Sequence, residues 1–178
     1  MKIVFSLLSF SLLMFTLGMA RTHQHASESC GFTVQGEPAQ PTVQGPDDMA
    51  PLVYFVEQPD SPIEVVSVDL TGMWLSVANE QYSVRHCATY KVRNRSDRPV
   101  QAFDVELSIS GGGGFGAPSS PLAPGQTAEL KSCGGGGHGG VPGNYVRLLV
   151  YARSVDFGDC FYQPSARIPR SLGVQPVW

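Results

Sequence analysis

The sequence predicts an all-β sandwich, and three observations carry that prediction. No window holds a sustained helical period. Period-2 alternation of apolar and polar residues recurs instead, as in half-buried antiparallel strands. Glycine and proline punctuate the alternating runs at short spacing, as turns of a sandwich do. The chain has 178 residues with 20 glycines and 14 prolines, a length that suits one domain with a core of its own.

Taken from the N-terminus, MKIVFSLLSFSLLMFTLGMA carries one lysine, then an uncharged apolar stretch, then Gly18 and Ala20 at small-residue positions. This is the layout of a cleavable secretory signal over residues 1–20, cut after Ala20. The stretch is broken by Ser6, Ser9, Ser11 and Thr16 and falls short of the roughly 20 apolar residues of a span, so no membrane span is expected after cleavage. The expected location is periplasmic or secreted. Residues 21–50 are poor in apolar side chains and carry Pro38, Pro41 and Pro46, which predicts an extended or disordered arm.

The sandwich is expected over residues 51–164, with an irregular tail over 165–178. In YSVRHCATYKVRN the alternation puts Tyr82, Val84, His86, Ala88, Tyr90 and Val92 inward, and Arg85, Cys87, Thr89, Lys91 and Arg93 outward. VQAFDVELSI points Phe103, Val105, Leu107 and Ile109 inward, and YVRLLVYAR does the same with Val146, Leu148, Val150 and Ala152. Shorter strands are expected at LVYFVE, IEVVSVDL, MWLSVA, QTAELK and SVDF.

Three segments in this body, YKVRNRSDRPVQAFDVELSI, PLAPGQTAEL and LLVYARSVDFGDCFYQP, carry a resemblance. The turn after a first strand, the L-x-P-G-[QE] turn and the late V-x-F-x-D strand are similar to those of immunoglobulin-like modules in bacterial exported proteins. The resemblance spans roughly residues 63–164. It implies an immunoglobulin-like antiparallel β-sandwich and, since these motifs specify turns and core positions, no site residue. Cys160 departs from its pattern and is read as a disulfide position particular to this chain.

Four cysteines in an exported chain predict two disulfides; none forms a CxxC pair, which argues against a zinc site. Cys87, Cys133 and Cys160 all fall on outward parities. Outward parity is inconsistent with a bridge through the core, and the expected pairs are Cys133–Cys160 and Cys30–Cys87.

The formal charge is −3, becoming −4 once Lys2 leaves with the signal. That gives no global attraction to nucleic acid. Two glycine tracts, GGGGFG at 111–116 and CGGGGHGG at 133–140, literally satisfy G-x-G-x-x-G. Dinucleotide binding also needs a helix starting at the last glycine, and Pro118, Pro121, Pro124 and Pro142 leave no room for one. There is no Gly-Lys-Ser/Thr. The tracts are expected to be loops at opposite ends of the sandwich, unless a short strand intervenes between 111 and 125.

The functional expectation is a non-catalytic binding or structural module of the cell envelope or extracellular space, without cofactor. Its interaction face is the basic run Arg85, Lys91, Arg93, Arg95 and Arg98, where Asp97 is the only acid from 85 to 98. Such a face would meet an acidic protein or anionic envelope component; as a structural feature it would be a solvated sheet face that discourages strand aggregation. An alternative is copper binding. Cleavage after Ala20 would leave Arg21, Thr22 and His23 as a free N-terminus, with four planar nitrogens suited to Cu(II) and His25 as a further ligand. A small secreted hydrolase is a further alternative, but nothing like G-x-S-x-G is present. His86 reads as a core or interface histidine, and His138 as a lone loop histidine. Asn94 opens the sequon NRS, which the turn explains without a glycan.

Overall fold

The structure, a computed structural model, describes residues 30–48, 52–78, 81–109, 114–118, 121–136 and 147–168. Apart from one 3₁₀ turn at Pro164–Arg167, every regular element named here is a strand. Two mixed sheets pack face to face as a sandwich. The first holds β1 (Thr42–Gln44), β3 (Ile63–Asp69), β4 (Trp74–Ala78), β5 (Gln81–Asn94) and β8 (Thr127–Gly136). The second holds β2 (Val53–Phe55), β6 (Ala102–Ile109), β7 (Gly114–Pro118), β9 (Leu148–Asp156) and β10 (Phe161–Tyr162).

The first sheet is organised by β5, whose 14 residues are long enough to serve two partners on one edge. Its N-terminal half pairs with β4 and its C-terminal half with β3, while β8 runs along the other edge from Val84 to Arg93. In the second sheet β9 has the same role, with β6 on one edge and β2 and β10 sharing the other. Between β2 and β10 the exposed edge of β9 is sealed by side chains. Gln58 accepts from the Ala152 N–H at 2.8 Å and donates to its carbonyl at 2.9 Å, and the Ser165 hydroxyl donates to the Arg153 carbonyl. An edge satisfied in this way offers no template for a second chain.

The expected parity holds where side chains are described. Val84, Ala88, Tyr90 and Val92 face Phe103, Val105, Leu107, Leu148, Val150 and Ala152 in one buried cluster. The outer face of β9 corrects the one-sided expectation. Leu149 and Tyr151 are buried as well, because Val56, just after β2, and Ile168, just after the 3₁₀ turn, pack with them in a second cluster. SVDF does not form a strand of its own: residues 154–156 continue β9 past a bulge at Arg153.

The all-antiparallel expectation also needs correction, for β1 pairs parallel with β3 and β2 parallel with β9. Both are short edge strands supplied by the N-terminal part of the chain, which enters along sheets already built by hairpins. The described part of the arm is therefore built into the fold. Val34 bridges to Ser96, Thr33 and Asp97 exchange two hydrogen bonds, and the Phe32 ring packs 5.2 Å from Phe157 and 5.1 Å from Tyr162.

The disulfides are Cys30–Cys160 and Cys87–Cys133, not the pairs expected from the sequence. Cys87 and Cys133 are directly opposite on adjacent strands, with Cα atoms 4.1 Å apart. Cys30 reaches Cys160 because the arm docks on the β9–β10 turn. Two disulfides suit an oxidising, extracytoplasmic compartment. Among the described residues no helix is long and apolar enough to cross a membrane.

The two motif turns meet at Asn94, the last residue of β5. Its side-chain amide donates to the carbonyls of Arg98 at 2.8 Å and Leu122 at 2.9 Å, and its carbonyl oxygen accepts from the Ser96 N–H and hydroxyl. Its backbone bonds Gln126 and Gly125. In that second turn Pro124 and Gly125 occupy the central positions, and Gly125 has a φ of 72°, which a side chain would oppose.

Three tyrosines are held in the phenol form by their surroundings. Burial pushes Tyr162 up to about 12, and the Asp60 carboxylate that accepts its hydroxyl adds to the shift. Tyr90 and Tyr151 are raised further, again chiefly by burial. These folded values exceed the unfolded value near 10. The stability they confer is therefore complete below pH ~10 and is lost as the pH climbs through about 12. Ultraviolet titration should show three of the six tyrosines ionising only as the fold opens. A single reversible step for all six near pH 10 would contradict this.

Candidate functional site

The outer face of the first sheet can be laid out row by row from its register. Across β3, β5 and β8 the rows are Glu64, Arg93 and Thr127; Ser67, Lys91 and Glu129; Asp69, Thr89 and Lys131. The next row is the cystine Cys87–Cys133, with the Cys87 N–H donating to the Gly72 carbonyl at 3.1 Å. Gly72 must be a glycine, since a Cβ there would come within 2.9 Å of Cys87. On β4, β5 and β8 follow Trp74, Arg85 and Gly135, then Ser76 opposite Ser83 on β4 and β5.

The five cations expected to form one basic stripe are divided by this layout. Arg93 is paired with Glu64, with its Nε at 2.9 Å and a terminal nitrogen at 2.7 Å from one carboxylate oxygen. The other Glu64 oxygen accepts the Ala39 N–H. Arg95 is only 6 % exposed and spends its guanidinium on the carbonyls of Gln35 and Gly36. The Arg98 Nη2 donates to both carboxylate oxygens of Asp159, at 2.7 and 2.8 Å, and the guanidinium lies over the Phe157 ring. That contact holds the Asp159 carboxyl below its ordinary range. These three therefore clasp the arm and the last turn to the sandwich.

Lys91 and Arg85 remain exposed on the sheet. Lys91 lies directly across from Glu129. Arg85 alone shares its row with no carboxylate among the described residues; it has the Trp74 indole on one side and Gly135 on the other. Trp74 is 54 % exposed. Sequence reading passed over this residue, although the signal was present. The alternation in MWLSVA puts Trp74 and Ser76 on the face opposite Met73 and Leu75, and Met73 is buried.

Two further features lie elsewhere. A cleft of about 390 Å³ opens between the arm at Pro38–Pro41, the segment 55–59 and the start of β3. Its walls are mostly apolar; of its two carboxylates, Glu64 is committed to Arg93 and Ala39, and Glu57 is exposed at the rim. On the outer face of the second sheet, the bulged Arg153 lies between Asp104 and Glu106 at 3.6 and 3.5 Å. Burial raises Glu106, opposed by the Tyr151 hydroxyl it accepts and by Arg153.

Of the remaining sequence expectations, Arg21, Thr22, His23 and His25 lie outside the described residues, as do His138 and the His86 side chain. Among the described residues no group of three or more histidine, cysteine or acidic side chains could hold a metal ion. The glycine tracts are partly strand. Gly114 and Gly116 belong to β7, and Gly134 to Gly136 end β8. Because β7 reverses the chain between β6 and β8, the tracts follow strands running in the same sense, which corrects the expectation of opposite ends. The sequon at Asn94 is closed: the nitrogen a glycan would need is buried and already donates to two carbonyls.

Compared with known proteins, the chain matches no family model, no curated protein and no solved structure.

Proposed function

We propose that this is an exported, non-catalytic binding module of the cell envelope or extracellular space, built on an immunoglobulin-like sandwich, and that it binds through the outer face of the β4–β5–β8 sheet. The observation that carries this reading is the Trp74–Arg85 row. Elsewhere on the face a cation is paired, or lies in a row with an acid. Here a large indole and a guanidinium, two side chains enriched in binding hot spots, stand exposed together on a sheet stapled by the adjacent cystine. A rigid backbone under such groups lowers the ordering cost of binding. The secretory signal and the two disulfides support an extracytoplasmic setting.

Co-sedimentation with washed envelope material from the exporting cells tests the reading. Wild type is expected in the pellet, and Trp74→Ala and Arg85→Glu in the supernatant, with near-ultraviolet circular dichroism unchanged around the remaining aromatics. Pelleting of both variants to the wild-type extent, or no pelleting of wild type, defeats it. Charge reversal at Arg93 or Arg95 is unsuitable for this test, because those side chains hold the fold together.

A further inference from the structure

Resting on that reading, we infer that the ligand of the Trp74–Arg85 face is an acidic polysaccharide, one whose sugar rings bear carboxylate or sulfate. The inference follows from what surrounds the two side chains. Positions 134, 135 and 136 of β8, which lie across from His86, Arg85 and Val84, are all glycine. Of these, Gly135 shares the outward parity of Arg85, so β8 places no side chain beside Arg85 in its row. Among the described residues, Arg85 is flanked in its row by Trp74 on one side and by the Gly135 backbone on the other, with the hydroxyls of Ser76 and Ser83 on the next row.

From strand spacing and rise, the platform measures about 10 Å across β4, β5 and β8 and about 7 Å from the Trp74 row to the Ser76 row. That is a flat footprint for one or two sugar rings. Each of its groups matches a part of such a ring. The indole face, with its negative quadrupole, stacks on the axial C–H face of a pyranose. The guanidinium fork takes a carboxylate or sulfate through two parallel hydrogen bonds. Serine hydroxyls donate to and accept from ring hydroxyls.

The same surroundings argue against a protein partner. Hot-spot tryptophans in protein interfaces sit within a ring of contacts that exclude water. The other exposed large apolar side chains described, Tyr54 and Phe161, belong to β2 and β10 of the opposite sheet. Among the described residues of its face, Trp74 is thus flanked by the cystine row on one side and by serine hydroxyls on the other, with no second large apolar side chain. On the register, the nearest acid of this face among the described residues is Asp69, two rows from Arg85 and about 14 Å away. An anionic ligand therefore meets little local repulsion despite the net charge of −3.

The test is affinity electrophoresis of the oxidised full-length exported protein in native gels cast with polygalacturonate, heparin or dextran. Flotation with vesicles of phosphatidylcholine and phosphatidylglycerol runs in parallel. Retardation is expected in polygalacturonate or heparin and not in dextran, and it should weaken several-fold between low and high salt because the site is exposed. Arg85→Gln should lower the affinity roughly tenfold, the scale of one lost charged hydrogen-bond pair, and Trp74→Ala at least as much. Both side chains are exposed, so both variants should keep the wild-type melting transition. No retardation in either polyanion overturns the inference, as does equal retardation of Trp74→Ala, equal retardation in dextran, or Trp74-dependent flotation with the vesicles alone. If envelope binding depends on Trp74 while both polyanions fail, the binding face stands and the glycan assignment falls. If envelope binding also fails, the face itself falls.

Discussion

Replacing Cys30 and Cys160 together by alanine should destabilise the protein by about 5 kcal/mol, a large part of the 5–15 kcal/mol that holds a domain of this size together. The bond spans 130 residues, so it restricts the unfolded chain over nearly the whole sandwich. In the folded state it holds the arm, with Phe32 against Phe157 and Tyr162, on the β9–β10 turn. Removing Cys87 and Cys133 opens a loop of only 46. It should cost about 1 kcal/mol less by loop closure alone, leaving the arm in place. Urea unfolding of the two double variants under non-oxidising conditions provides the comparison, with hydrogen exchange at residues 31–36 as the local readout. The prediction fails if Cys87/Cys133 removal is the more damaging, or if the arm amides stay protected without Cys30.

Asn94→Ala should cost about 2–4 kcal/mol, from the lost side-chain hydrogen bonds and the one buried N–H, that of Ser96, left without an acceptor. Asn94 is fully buried, and its side chain makes four hydrogen bonds that join the turn after β5 to the turn before β8. Alanine would leave the buried Ser96 N–H without its acceptor, while the carbonyls of Leu122 and Arg98 would keep the Val100 N–H and the Ser96 hydroxyl. Asn94→Asp keeps the two acceptor bonds but directs a carboxylate at two carbonyl oxygens, so its cost should grow as the pH rises above about 4. Ser96→Ala removes less and should cost about 1 kcal/mol. Thermal melts of the three variants give the ranking. A melting temperature for Asn94→Ala close to wild type would show that the two turns are held by something other than this amide.

What could be read from the sequence is what is local to a strand. The parity of β5, β6 and β8 was legible because alternation is a property of neighbours, and that of β5 and β8 placed Cys87 and Cys133 outward, as found. Their pairing was not legible. It depends on β8 lying beside β5, across more than 40 residues that visit the other sheet in between. The same limit applies to the cations: Arg93, Arg95 and Arg98 looked like one stripe until the fold brought Glu64, Gly36 and Asp159 to them from distant segments. β7 was hidden for another reason, since GFGAP offers no alternation and takes its place by pairing with β6. The outer face of β9 was legible in part. LLVYA is a continuous apolar run, the signature of a strand covered on both faces, whereas alternation alone points to one inward parity. Trp74 was legible from its strand alone, but its solitude beside Arg85 and a glycine shelf required β8.

The Cys30–Cys160 bond has a mechanical consequence as well. Tension applied to chain before residue 30 and after residue 160 passes from one sulfur to the other and bypasses the two sheets between them. While the bond is intact, pulling cannot peel off β1 or β9 in sequence or lengthen the enclosed segment. Reduction would add up to about 440 Å of contour to the tether. A module that holds a surface ligand while its ends are pulled would thus keep its binding face undeformed for as long as its surroundings stay oxidising.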